Sequence, residues 1–214
     1  GLVHRGASAY LPDAETPVTC DAAGRIVDLA MSSDEPLYVL AIGAITNVAS
    51  ALLIEPAVAE RIVVVWLGGN PQTEHTAAEF NLQQDLHASR LIFDCGVPLV
   101  QIPCRHVAAM LRTTRAEIER YVRGRGPVGD YLADIYGDFV ADRVAQSKVI
   151  WDIAAVAWVL NAEWVPTQLT HSPVLTDHLT WSRDHRRHLI REAVDCVRDP
   201  IFADLFKKIE ARAG

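Results

Sequence analysis

Three short apolar runs, at 37–42, 61–67 and 97–102, each end at a glycine or proline. Runs of that length bounded by breakers read as buried strands. Between the first two, Thr46 and Asn47 begin a helix that continues apolar as far as Glu55 and Pro56. After the second, Leu82, Leu86 and Phe93 share one stripe of a helix over 82–93. Strands alternating with helices predict an α/β fold, an open, mostly parallel sheet with flanking helices and right-handed crossovers. Ahead of them, residues 1–21 read as a surface loop, and Ile26, Leu29 and Ala30 mark a short helix over 24–31.

The second half is more helical. Thr114 and Glu117 have capping-box spacing, with Ile118 and Val122 behind them. Gly124, Gly126 and Pro127 break that helix, and Leu132, Ile135, Phe139, Val140 and Val144 predict the apolar stripe of a longer one. Asp130, Asp134, Asp138 and Asp142 recur every fourth residue along it, which reads as a solvated face in preference to a metal-binding stripe. Residues 149–160 are apolar all round except for Asp152, so a buried helix is expected. A carboxylate there needs a salt bridge, a helix to cap, a cation or a ligand hydroxyl, because an unpartnered buried charge is costly. From Asn161 to His178 the chain reads as loop, and His171, His178, His185 and His188 read as surface histidines. Asp199 and Pro200 open a final helix whose stripe is Ile201, Leu205 and Ile209.

The totals narrow the function classes. A chain of 214 residues, half of them apolar, fits a single domain with a large core. A net charge of -7 argues against nucleic acid as a partner. No apolar run reaches the roughly 20 residues of a membrane span, and no charged-then-apolar leader opens the chain, so a cytoplasmic protein is expected. Cys20, Cys95, Cys104 and Cys196 form no C-x-x-C pair and read as buried free thiols of a reducing compartment.

The chemistry gathers where strands end. Gly68-Gly69-Asn70 follows the second run, and Glu79-Phe80-Asn81 then puts an acid and an amide beyond its carboxyl end, where open α/β sheets place ligands. An acid and an amide suit a vicinal diol. Trp151 offers an indole to a flat base, and Asp152 with the carbonyl of Ile42 offers oxygens to a hard cation such as calcium. Neither phosphate-binding glycine motif, G-x-x-x-x-G-K-[ST] or G-x-G-x-x-G, is present, so a nucleoside fits better than a phosphate compound.

Taken in order, GLVHRGAS, ETPV, IGAITN, GGN, AEFN and WD resemble the inosine-uridine preferring nucleoside hydrolases over essentially the whole chain. The resemblance implies hydrolysis of the N-glycosidic bond of ribonucleosides, with calcium positioning water and ribose hydroxyls and an aspartate taking a proton from the water. By position it gives Glu79 and Asn81 to the ribose, Asp152 and the Ile42 carbonyl to calcium, and Trp151 with Asp152 to catalysis. By the same resemblance Thr73 or Asn70 takes the place of an asparagine that the family often carries. The family opens on D-x-D-x-x-x-D-D, whereas this sequence contains no Asp-x-Asp and no Asp-Asp. The resemblance therefore implies a domain incomplete at its N-terminal side, with weak or absent calcium binding and little turnover. It also implies an uncovered sheet edge that favours a homo-oligomer or a complementing chain. A non-catalytic nucleoside or ribose binder, and a purely structural remnant of the fold, are the alternatives.

Overall fold

In the computed structural model, which describes residues 2–141 and 143–212, the run at 62–67 lies inside the sheet as expected. β1 (Leu37–Ala41), β2 (Ile62–Leu67), β3 (Leu99–Ile102) and β9 (Leu189–Ala193) lie side by side in that order, all parallel. β6 (Thr167–His171) completes a sheet of five strands by pairing antiparallel with β9. Alternation along β2 separates two cores. Ile62, Val64 and Trp66 pack with α1 (Asp21–Met31), α2 (Thr46–Ile54) and α4 (Leu86–Asp94) on one face. Val65 and Leu67 pack on the other with α7 (Ile153–Leu160) and α8 (Arg198–Ala211). Helices on both faces are what a parallel sheet requires.

Several elements differ from the sequence expectation, each for a local reason. The helix expected over 82–93 is two, α3 (Phe80–Gln84) and α4, divided at Asp85. That carboxylate is buried and caps α4 by accepting from Ala88 N at 2.9 Å; its other oxygen accepts from Leu11 N at 3.0 Å and Thr46 Oγ1 at 2.6 Å. Periodicity sees the shared stripe but not the break, because the capping side chain is itself inside. The loop reading of 161–178 misses two strands, β6 and β7 (Val174–Leu175), and beyond it the later strands β8 (Trp181–Ser182) and β9 were not expected either. Polar residues hide them: β9 carries Arg191 and Glu192, and Glu192 is buried, accepting from Gln72 N at 2.7 Å and Gln168 Nε2 at 3.2 Å. His178 and His185 are exposed as expected, but His171 and His188 are half-buried, and His171 Nδ1 meets the Arg187 carbonyl at 2.7 Å.

α5 (Arg115–Tyr121) has the capping box formed by Thr114 and Glu117. β4 (Arg112–Thr114) precedes it and pairs with β5 (Ser147–Val149). α6 (Gly126–Val140) starts earlier than expected and turns a different face inward. Gly129, Ala133, Tyr136 and Val140 are buried, while Leu132, Ile135 and Phe139 are exposed, because the close approach to α5 admits small residues and Tyr136, whose hydroxyl donates to the Thr113 carbonyl at 2.8 Å. Asp130, Asp134 and Asp138 are not buried; Asp134 pairs with Arg123 at 2.9 Å, and Asp142 lies outside the described residues. The final helix begins at Arg198, one residue before the expected Asp199 cap. Cys104 and Cys196 are buried, but Cys20 is half-buried and Cys95 exposed. Among the described residues no helix is long and apolar enough to cross a membrane.

Glu117 also ties α5 to α8 through Arg198 at 2.5 Å. Burial alone would raise its pKa, but the bonds from Arg198 and Thr113, the Arg198 charge and the Thr114 N–H outweigh it and hold the carboxyl below the usual range. A folded value below the unfolded one contributes stability above the unfolded pKa and loses it as pH falls through the folded value. Urea unfolding from pH 7 downwards is expected to show that loss, and Glu117→Gln to remove about 1 kcal/mol of the pH dependence. Identical slopes in the two proteins would show that this pair contributes nothing.

Candidate functional site

The turn after β2 builds the site. Gly69 has φ +77°, and a Cβ there would lie 2.9 Å from Leu82 Cδ1, while one on Gly68 would lie 2.3 Å from the Trp66 ring. Both positions exclude a side chain. Gly69 N then donates to Glu79 Oε2 at 3.0 Å. Glu79 is the extended N-cap of α3, and the same oxygen accepts from Asn81 N at 3.0 Å and Leu82 N at 3.2 Å. Asn81 is 8% exposed and donates Nδ2 to the Leu67 carbonyl at 2.9 Å. Acid and amide are thus both fastened to the end of β2, leaving Glu79 Oε1 and Asn81 Oδ1 for a ligand.

A cleft of about 570 Å³ opens at the carboxyl ends of β1, β2 and β3. It brings together all five residues singled out in the sequence: Ile42, Glu79, Asn81, Trp151 and Asp152. The turn at the end of β1 is fixed by Trp66 Nε1, which donates to the Gly43 carbonyl at 3.1 Å, and leaves Ile42 49% exposed. Asn70 joins the lining, with Nδ2 held by the carbonyls of Thr76 and Ala78 at 3.2 and 2.8 Å. Thr73 lines a separate cavity beside Gln72 and Glu192.

The surroundings of Asp152 correct the sequence reading. α7 is not enclosed: Ala154, Ala155 and Ala157 face the core, whereas Val156, Val159 and Leu160 are about half exposed. Asp152 precedes the helix as an exposed N-cap position without a capping bond, and among the described residues it has no ion pair. An apolar sequence does not dictate full burial when three alanines satisfy the contact. Partial desolvation still raises the Asp152 pKa above the usual carboxylate range. Cys104, which also lines the cleft, is pushed well up, first by burial and then by the Glu79 charge, so it stays a thiol.

The sequence reading missed Phe80, Cys104 and Arg105. Phe80 had a signal: it stands between the acid and the amide and is 72% exposed at the head of α3. Arg105 had none, because nothing in its neighbours marks the end of β3 as part of the same cleft.

Calcium takes six to eight oxygen ligands. Among the described residues no three His, Cys, Asp or Glu side chains come together as a metal-holding group. Glu79 Oε2 is already shared by three backbone N–H groups. The donor set present does not fit the ion.

Residues 3–199 match the profile of the inosine-uridine preferring nucleoside hydrolases. The chain belongs to that family. The pyrimidine-specific ribonucleoside hydrolase RihB of Escherichia coli K12 is 28% identical over 150 residues, which are 67% of this chain and 48% of that protein. The chain spans about half the length of such curated relatives. A purine-preferring ribonucleoside hydrolase from Gardnerella vaginalis superposes with a TM-score of 0.77 at 19% identity, covering 94% of this chain and 71% of that one. An inosine-uridine preferring nucleoside hydrolase from Bacillus anthracis gives 0.69 at 19% identity, covering 90% and 66%. These superpositions establish the nucleoside hydrolase fold for a chain whose β6–β9 segment was unreadable in sequence.

Proposed function

We propose that the cleft takes a ribonucleoside and that the reaction it serves is hydrolysis of the N-glycosidic bond. The observation that carries this reading is the convergence of Glu79, Asn81, Trp151 and Asp152 on one cleft at the carboxyl ends of parallel strands. Glu79 Oε1 and Asn81 Oδ1 are rigid acceptors for ribose hydroxyls. Trp151, 38% exposed, and Phe80 offer aromatic faces to the base. Asp152, its proton affinity raised by desolvation, is suited to take a proton from water at the anomeric side.

A second reading is favoured by the donor set: with no metal-holding group among the described residues, the chain binds the nucleoside without cutting it. One experiment separates the two. Uridine and inosine are titrated into the protein by calorimetry with calcium and with a chelator, and free base is followed in the same samples. Base release supports hydrolysis, and its loss on chelation shows that the ion contributes. Heat without base release supports the binder. No heat with either nucleoside overturns both.

A further inference from the structure

Cys104 lines the cleft just beyond β3 and is 8% exposed. Its backbone is fixed on both sides: its N–H donates to the Gly69 carbonyl at 2.9 Å, and its carbonyl accepts from Ala109 N at 2.9 Å. Gly69 is also the residue whose N–H donates to Glu79 Oε2 at 3.0 Å. Thiol and acid therefore hang from the two peptide groups of one glycine, itself walled in by Leu82, Gln101 and Trp181.

The two side chains meet. Burial first, then the Glu79 charge, then a side-chain hydrogen bond to Glu79 keep the proton on the Cys104 sulfur. Glu79 Oε2 already accepts from three backbone N–H groups, at 3.0, 3.0 and 3.2 Å, so the acceptor left for the thiol is Oε1. A carboxylate oxygen offers two lone-pair sites. One donor from within the protein leaves the second site for the cleft and sets its direction. Asn81 points independently to a ligand with hydroxyls. It is 8% exposed, its Nδ2 is taken by the Leu67 carbonyl at 2.9 Å, and its Oδ1 has no partner among the described residues.

We propose that Cys104 is a positioning residue, whose thiol donates to Glu79 Oε1 and turns the remaining lone pair of that oxygen toward a ribose hydroxyl. This rests on the ribosyl reading of the cleft. Cys104 acts through the acid, and no bond is made or broken in doing so. Without the thiol the carboxylate is held at Oε2 alone and can tilt about it. A thiol suits the place because it is a weak donor, which orients the oxygen without competing strongly with an incoming hydroxyl.

Two measurements on the whole chain test this. The first is the S–H stretching band, read by Raman spectroscopy. Cys20, Cys95 and Cys196 are free thiols too, so the Cys104 band is isolated by subtracting the spectrum of Cys104→Val. It is expected below the frequency of a free thiol, and to rise in Glu79→Gln, where an NH2 takes the acceptor's place. The second is calorimetric titration with uridine and inosine. Cys104→Val, which fills the space but cannot donate, is expected to weaken binding roughly fivefold, and Cys104→Ser, which can donate, to stay within about twofold. A band that Glu79→Gln leaves unmoved overturns the proposal, and decides the matter should Cys104→Val fail to fold. Val and Ser variants weakened alike show that the sulfur only fills space, and overturn it too. A band that moves in a protein that ignores both nucleosides keeps the thiol contact and overturns the ribosyl reading instead.

Discussion

Asp85→Ala is expected to remove about 4 kcal/mol of stability, the largest loss from any single substitution considered for this chain. The carboxylate does three things at once: it caps α4 at Ala88 N, anchors Leu11 N in the otherwise irregular opening segment, and accepts from the Thr46 hydroxyl at the head of α2. Loss of a cap costs about 1 kcal/mol. Each of the other two donors, left buried without a partner, costs about 1 to 3 kcal/mol. Asp85→Asn does not rescue it, because an amide NH2 must then face at least one of the same donors. Urea unfolding measures the effect, and a melting temperature lowered by roughly 10 °C should accompany it. A change under 1 kcal/mol would mean that these bonds are replaced by solvent.

Glu79→Gln is expected to act on binding and leave the fold standing. A glutamine carbonyl can still accept from Gly69 N, Asn81 N and Leu82 N, so the α3 cap survives. What changes is the atom opposite, where an acceptor carrying charge becomes an NH2 donor facing the sugar. A hydrogen bond to a charged group is worth about 1.5 to 3 kcal/mol, so affinity for a ribonucleoside should fall roughly tenfold to a hundredfold with the unfolding midpoint nearly unmoved. Glu79→Ala, by contrast, should lower both. If Glu79→Gln binds as well as the unaltered protein, the acid is a helix cap and no more.

The sequence was informative where a backbone pattern and a side-chain role coincide. β1, β2 and β3 are short apolar runs with breakers behind them, and the parallel sheet follows from their alternation with helices. The acid and the amide were legible because Glu79 and Asn81 sit two residues apart at the head of α3, so local sequence alone places them together. Three things were hidden. β9 is an interior strand written with Arg191 and Glu192, since Glu192 accepts from Gln72 and Gln168 and Arg191 donates to the Thr167 hydroxyl. α6 buries Gly129, Ala133 and Tyr136 beside Val140, while Leu132, Ile135 and Phe139 of the expected stripe face solvent. Arg105 reaches the cleft through a tertiary turn with a left-handed His106, and no spacing rule encodes that.

β1 ends the strand order, and Tyr38 on it is 49% exposed. The peptide groups along the outer side of an edge strand can pair with any extended backbone. Ile42 continues directly from that strand into the cleft. A chain that added a strand beside β1 would therefore also come next to the cleft, and its docking and the occupancy of the cleft would then be linked.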